Sequence, residues 1–143
     1  MKDILLKSSP PLPIKLAAKL VGVPYLNNGT DLNGFDCWGL VWYFYNELGI
    51  KTPKPSDYLT RTTNASKDEA SNKIIKRHLK KIDNPKSHCV VSFKRSSLAI
   101  HAGVYFPELR KVLHAVGNAG VVCEDLAKAQ ETRGIKGTFY QWR

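Results

Sequence analysis

Cysteines, acidic residues and long apolar runs are scarce in this 143-residue chain. The three cysteines, Cys37, Cys89 and Cys123, are an odd number without paired spacing, so no disulfide framework is indicated and a reducing compartment fits. No apolar run is long enough to span a membrane. The run from Ile4 to Leu6 is too short for a secretory signal, and prolines follow it at positions 10, 11 and 13. We therefore expect synthesis in the cytosol without a leader.

Acidic side chains are outnumbered, with 12 Asp and Glu against 22 Lys and Arg and a formal net charge of +10. Such an excess favours a polyanionic partner, although a charge run is often only a solvated helix face. Nucleic acid is disfavoured because no aromatic residue interleaves with the basic run and no recognition motif occurs. The densest part of the excess comprises Lys73, Lys76, Arg77, Lys80, Lys81 and Lys86.

One cysteine lies at a predicted helix start, in residues 34–46, Gly-Phe-Asp-Cys-Trp-Gly-Leu-Val-Trp-Tyr-Phe-Tyr-Asn. Asp36 is a favourable N-cap, which gives Cys37 the first helical position, where unpaired amides and the helix dipole favour an anion. At such a position, with an imidazolium nearby, a thiol pKa of about 8.5 falls to ~3.5–7.5. The same amides can form part of an oxyanion hole. The pattern predicts a nucleophile, with a small buried apolar residue as the alternative for Cys37.

The rest of this helix reads as buried, because apolar residues cover all its faces up to Leu48. Gly49 is a typical residue just beyond a helix C-terminus. Gly39 costs about 1 kcal/mol relative to Ala in a helix interior, which indicates close packing against another element.

An activated cysteine needs a base, usually histidine, and a third group that orients the base. His101 and His114 lie on two predicted strands joined by a turn at residues 107–110. If Phe106 pairs with Lys111, the two imidazoles share one face as diagonal neighbours, ~7–8 Å apart at the backbone. A one-residue change of register would place them on opposite faces, as two unrelated histidines.

A zinc site made of Cys37, His101, His114 and Cys123 is disfavoured because their separations match none of the usual ligand pairs. We predict no metal and no cofactor.

The length predicts one domain, and the order of the elements predicts an α+β fold. A first helix spans residues 14–21 and ends at Gly22, and the Cys37 helix follows it. The capping box Ser66-Lys67-Asp68-Glu69 opens a further helix that runs to about Ile82. The predicted later elements are strands at Cys89–Phe93, Leu98–Phe106, Lys111–Val116 and Gly120–Cys123, a short helix through Leu126 and Ala129, and a last strand at Gly137–Trp142.

Together these motifs resemble the NlpC-type cysteine peptidases, papain-like enzymes that cut peptidoglycan stem peptides. The resemblance covers roughly Leu16 to Val122 and implies a papain-like domain over residues 1–143, with N-terminal helices packed on a mostly antiparallel sheet. A basic helical insertion at about 51–86 and Ser87-His88 in place of the usual Gly-Asp depart from the family pattern. The matching residues are Gly22-Val23-Pro24-Tyr25, Gly29, Gly34 to Val41, His101-Ala102-Gly103-Val104-Tyr105 and Leu113-His114-Ala115.

The resemblance implies a role for each site residue. Cys37 would be the nucleophile, His101 the general base and acid, and His114 the residue that orients His101. Tyr25 would lie beside the nucleophile and assist the oxyanion or the substrate. Asp36 would bind polar groups of the substrate or hold the loop.

The implied reaction is hydrolysis of stem peptides at the D-γ-glutamyl–diaminopimelate bond. We expect delivery to the periplasm or cell wall, either in a phage tail with tail proteins as partners or as a secreted effector, and an anionic wall polymer is a further candidate partner. One alternative is a non-catalytic structural tail subunit, against which the intact Cys37, His101 and His114 argue. Another is a thiol acyltransferase acting on lipids, which would need an apolar membrane-facing segment.

Overall fold

The computed structural model describes residues 11–55, 64–95, 98–133 and 135–143. In these residues the helices are α1 (Leu12–Leu20), α2 (Cys37–Glu47), α3 (Asn64–His78) and α4 (Leu126–Arg133). The strands are β1 (Thr30–Asp31), β2 (Gly34–Phe35), β3 (Leu79–Ile82), β4 (Cys89–Arg95), β5 (Leu98–Phe106), β6 (Lys111–Val116), β7 (Gly120–Asp125) and β8 (Lys136–Trp142).

Six of the strands form one antiparallel sheet in the order β3-β8-β4-β5-β6-β7, while β1 and β2 form a small hairpin. The last strand of the chain, β8, lies between β3 and β4. Helices that precede a mostly antiparallel sheet make an α+β fold, which confirms the predicted class.

The alternation of each strand divides the core between the two faces of the sheet. Val90, Val104 and Leu113 pack on one face with buried residues of α1, α2 and α3. Val91 and Phe93 face the other way, toward α4 and the residues around it. This two-residue period explains why one strand serves both clusters.

Helix α2 begins and ends as its sequence predicts. The Asp36 carboxylate caps the helix by accepting from the Gly39 amide, and Gly49, just beyond the C-terminal end, adopts a left-handed φ of 80°. A Cβ on Gly39 would collide with the carbonyl oxygen of Gly29. The backbone of the loop before α2 therefore packs directly against the helix at Gly39. The close packing predicted at this glycine is confirmed.

The predicted boundaries of α3 were wrong at both ends. The helix begins at Asn64, two residues before the capping box at Ser66, and it ends at His78. Ile82, predicted as the approximate end of the helix, lies in β3 and pairs with Phe139 of β8. Pairing with a strand nearly sixty residues away outweighs the local helical period there.

The other predicted elements are confirmed with small changes. The first helix starts two residues earlier than predicted, while β4, β7 and β8 extend by one or two residues. Within the described ranges, no helix is long and apolar enough to cross a membrane.

Candidate active site

At the start of α2, one carboxylate accepts hydrogen bonds from two backbone amides, one in the preceding loop and one in the helix. Oδ1 of Asp36 accepts from the Gly39 amide at 2.8 Å, and Oδ2 accepts from the Asn28 amide at 3.0 Å. The side chain is buried, and its two hydrogen bonds fix the loop to the first turn of the helix. Cys37, half-buried, follows at the first helical position.

Tyr25 lies beside this helix start on a loop that is held on both sides. The Val121 amide of β7 donates to the Val23 carbonyl at 2.8 Å, and the Phe35 amide of β2 donates to the Pro24 carbonyl at 3.0 Å. Burial raises the pKa of Tyr25 above its ordinary value, and electrostatic interactions with Cys37 and Asp36 raise it further. The phenol therefore keeps its proton at neutral pH and can donate a hydrogen bond.

Three polar side chains form a hydrogen-bonded row across β5, β6 and β7. The Nε2 atom of His101 lies 2.8 Å from Nδ1 of His114. On the far side of the second ring, Nε2 of His114 lies 2.8 Å from Oε1 of Glu124. The strands fix the backbone of all three residues. We call His101, His114 and Glu124 together the imidazole row.

The surroundings of the imidazole row are apolar. His114 is fully buried, and the Glu124 side chain is 26% exposed. The buried ring of Phe93 stacks on His101 with a centroid distance of 5.5 Å and lies 5.9 Å from the ring of His114. A low local dielectric strengthens the hydrogen bonds of such a row and penalises any unpaired polar atom.

The hairpin register that brings the imidazoles together is the predicted one. Phe106 pairs with Lys111, and the pairing continues to Val104 and Leu113. A Cβ on Gly103 would come within 3.0 Å of the His114 Cβ, so the missing side chain leaves room between the strands for the rings. Helix α2 packs against β5 and β6, and the elements that carry Cys37 and the two histidines are therefore direct neighbours.

The model of the NlpC/P60 family matches residues 22–137, which is most of the chain. This chain belongs to the NlpC/P60 family. Among solved structures, the crystal structure of the NlpC/p60 domain of peptidoglycan hydrolase SagA is similar, with a TM-score of 0.59 and 16% sequence identity. The similarity covers 92% of this chain and 98% of that chain, and it shows a shared fold. No curated protein matches the chain.

In this NlpC/P60 domain the five predicted site residues fall into two groups. Tyr25, Asp36 and Cys37 gather at the start of α2. His101 and His114 are hydrogen-bonded on the sheet. The catalytic roles of the five residues stay predictions, and the structure supplies their positions.

The other two cysteines are in unfavourable places for a thiolate. Burial raises the pKa of the Cys89 thiol to about 12, against an opposing backbone hydrogen bond from Tyr140. Burial also raises the pKa of Cys123, with Asp125 and Glu124 adding to the increase and Lys111 opposing it.

Glu124 is the member of the site that the sequence prediction missed. His114 pairs with Val122 across β6 and β7, which makes Glu124 the diagonal neighbour of His114 on the same face. The short turn between Val116 and Gly120 could have predicted this contact, because it sets the register of the second hairpin. That register makes Glu124 and His114 diagonal neighbours, the same relationship that predicted the pair of histidines.

Among the described residues, no group of three or more His, Cys, Asp or Glu side chains is arranged to hold a metal ion. His88 and Cys89, adjacent in sequence, lie in different environments, with His88 near Phe44 and Tyr45 and Cys89 in the cluster on the opposite face.

Proposed function

We propose that this chain is a cysteine peptidase that hydrolyses peptidoglycan stem peptides, at the bond between D-γ-glutamate and diaminopimelate. The observation that carries the proposal is the hydrogen-bonded pair of His101 and His114 on the strands against which the Cys37 helix packs. A nucleophile, a base and a group that orients the base are what covalent acyl transfer requires. Membership of the NlpC/P60 family supports the same reaction class.

The first half of the reaction forms a thioester. Nδ1 of His101 accepts the thiol proton, and the Cys37 sulfur attacks the carbonyl carbon of the scissile amide. The carbonyl oxygen becomes an oxyanion, which the Cys37 backbone amide and the Tyr25 phenol stabilise. The imidazolium of His101 then protonates the leaving amine, the carbon–nitrogen bond breaks and the thioester remains.

The second half releases the acyl group. His101 takes a proton from a water molecule, whose oxygen attacks the thioester carbonyl. The carbon–sulfur bond breaks, His101 returns the proton to Cys37, and the product leaves as a carboxylic acid. The proposed role of Asp36 in this cycle is to hold the loop, because both of its oxygens already accept backbone amides.

The substrate class lies outside the cytoplasmic membrane, so such an enzyme has to be delivered to it. We propose that the chain acts in the periplasm or cell wall, delivered in a phage tail with tail proteins as partners or secreted as an effector. Peptide mass spectrometry of purified virions and of culture supernatants distinguishes the two routes.

The decisive experiment is incubation of the purified chain with muropeptides of defined stem composition, followed by mass spectrometry of the products. We expect cleavage after D-γ-glutamate by the wild type and none by Cys37→Ala. Cleavage at another stem-peptide bond would correct the bond and keep the peptidase. If the wild type leaves every muropeptide intact, the peptidase proposal fails and a structural subunit is favoured. Acyl transfer from a lipid or thioester donor would instead identify an acyltransferase.

A further inference from the structure

The imidazole row does not end at His114 but at a carboxylate. Glu124 lies 2.8 Å from Nε2 of His114, on the opposite side of the ring from His101. An ionised carboxylate only accepts hydrogen bonds, so Nε2 of His114 has to carry a proton. This requirement at Nε2 of His114 determines which nitrogen atoms of the two rings donate and which accept.

The hydrogen-bonding role of Nδ1 of His114 follows from the proton on Nε2 of the same ring. In a neutral imidazole only one ring nitrogen carries hydrogen, so with Nε2 protonated the Nδ1 atom of neutral His114 is an acceptor. His101 must then donate from its Nε2 across the 2.8 Å contact. Nδ1 of His101 is left with the lone pair, which is the state of a general base.

We propose that Glu124 is a positioning residue of the active site, which acts through His114 to fix the tautomer of His101 and to stabilise the His101 imidazolium. The inference rests on the peptidase function proposed above. When His101 takes the thiol proton, its Nε2–H still donates to His114, and the row ends in a negative charge. The same geometry explains why His114, with no access to solvent, tolerates a positively charged neighbour.

A purely structural reading of Glu124 is that it satisfies the second nitrogen of a buried ring. Both readings predict that the residue contributes to stability. Only the positioning role predicts a change in the proton equilibria of His101, and the two therefore differ in a measurable quantity.

Among the described residues, charged or titratable groups also occur on the elements that pack around the strands of the imidazole row, including Cys89 and Lys94 on β4 and Cys123 on β7. On the sheet, Lys111 and Asp125 pair with each other at 3.9 Å, and burial raises the pKa of the Tyr105 phenol on β5. Tyr25, Asp36 and Cys37 lie at the start of α2, the helix that packs against β5 and β6. On α4, Lys128 and Glu131 are exposed. Asp125 is the matched control, because it carries the same charge as Glu124 one residue away and is paired with Lys111.

The first experiment needs no substrate. In the Cys37→Ala background, nitrogen NMR of the imidazoles should find both His101 and His114 protonated at Nε2 once they are neutral. Adding Glu124→Gln should populate the Nδ1–H tautomers, since an amide offers both a donor and an acceptor. The pKa of His101 should fall by about half to one unit, less than the 1–3 units of a directly adjacent charge. Adding Asp125→Asn instead should change neither.

The second experiment uses the active enzyme and its pH profile. Glu124→Gln should lower kcat by about tenfold to a hundredfold and leave KM within about twofold, because substrate contacts are untouched. The acidic limb of kcat/KM, where protonation of the His101 base removes activity, should move to lower pH in the same direction as the NMR shift. In a His114→Gln background, adding Glu124→Gln should have little further effect.

The two experiments separate the two proposals. If the wild type does not cleave muropeptides, the peptidase function fails, while the NMR measurement still decides the tautomer relationship. If the wild type cleaves and Glu124→Gln behaves as Asp125→Asn in both measurements, Glu124 is only a structural partner of His114. An equal loss of activity in the presence and absence of His114 would likewise overturn a role that acts through that residue.

Discussion

The indole nitrogen of Trp38 donates a 2.8 Å hydrogen bond to the hydroxyl of Ser71, and both side chains are buried. Trp38 directly follows the proposed nucleophile on α2, whereas Ser71 belongs to α3 in the basic insertion. Ile74 and Ile75 of α3 join the same apolar cluster as α2. The insertion is therefore anchored in the core next to Cys37.

The Trp38–Ser71 hydrogen bond should contribute measurably to stability. Ser71→Ala removes the acceptor that the structure gives to the buried indole N–H, at an expected cost of about 1–3 kcal/mol in the free energy of unfolding. Urea unfolding followed by tryptophan fluorescence measures it. Lys73→Ala, at an exposed site on the same helix, should change stability by less than about 0.5 kcal/mol. Equal stabilities of the two variants would show that the hydrogen bond contributes little.

The three cysteines should differ in reactivity. Cys37 lies at a helix N-terminus, where an anion is favoured, while burial raises the pKa of both Cys89 and Cys123. We expect an alkylating reagent at neutral pH to label Cys37 first, as measured by peptide mass spectrometry over time.

A matched variant checks the link between labelling and activity. Cys37→Ala should abolish hydrolysis while circular dichroism stays unchanged, and Cys123→Ala should keep activity. Similar labelling rates at all three sites, or turnover by Cys37→Ala, would be incompatible with a nucleophilic Cys37.

The two histidines should not be equivalent. His101→Ala removes the group that carries the proton, so we expect a loss of about 10²–10⁴-fold in kcat, the range of general acid–base catalysis. His114→Asn or His114→Gln keeps a polar group that can orient His101, and the loss should be smaller. Steady-state kinetics on a defined muropeptide measures both. A His101→Ala variant that turns over normally would remove this residue from the mechanism.

How far the sequence predicts the site depends on how local each signal is. The positions of Asp36 and Cys37 follow from capping chemistry within four residues, and the structure has them where predicted. The pairing of His101 with His114 follows from one short turn, which sets the register of its hairpin. The contact of Glu124 with His114 depends on a second register, that of the hairpin formed by β6 and β7, and the sequence prediction did not include it.

Other features depend on contacts far apart in sequence. β3 follows α3 directly and pairs with β8, so the boundary at His78 is set by a strand near the C-terminus. The Trp38–Ser71 hydrogen bond joins residues 33 positions apart, one in α2 and one in the basic insertion. No periodicity within either segment predicts such a contact, because propensity and pattern report only on near neighbours.

His88 should make stability depend on pH. Its ring packs against Phe44, Tyr45 and Phe106, and burial lowers its pKa below 6.5, partly offset by Glu108. The unfolded chain then binds more protons than the folded chain below pH 6.5, so stability should fall as the pH decreases from about 7 to about 5.

The variant His88→Phe isolates this contribution. It keeps an aromatic ring among its neighbours but cannot take a proton, so its loss of stability between those two pH values should be smaller than that of the wild type. Urea unfolding at both pH values measures the difference. An equal loss in wild type and variant would show that other groups cause the pH dependence.

The basic insertion offers the last prediction. Six exposed basic residues form what we call the basic surface: Lys73, Lys76, Arg77, Lys80, Lys81 and Lys86. Asp83 is the acidic residue between the first and the last of them in sequence. Exposed charges act over about a Debye length, ~8 Å at physiological ionic strength. If the basic surface binds an anionic wall polymer, turnover of intact sacculi should fall steeply with added salt, while turnover of a small soluble muropeptide should hardly change.

Charge reversal tests the basic surface directly against a control of equal net charge. Replacing Lys76, Lys80 and Lys81 by Glu should reduce turnover of sacculi and not of the muropeptide. The control reverses the exposed residues Lys15, Lys19 and Lys128, which lie on α1 and α4. Lys80 and Lys81 are also on β3 at the edge of the sheet, where charges oppose strand-to-strand association. Equal effects of the two triple variants on turnover of sacculi would show only an effect of net charge. If the variant at Lys76, Lys80 and Lys81 keeps its turnover but aggregates, and the control variant does not, the function of Lys80 and Lys81 is protection of the sheet edge.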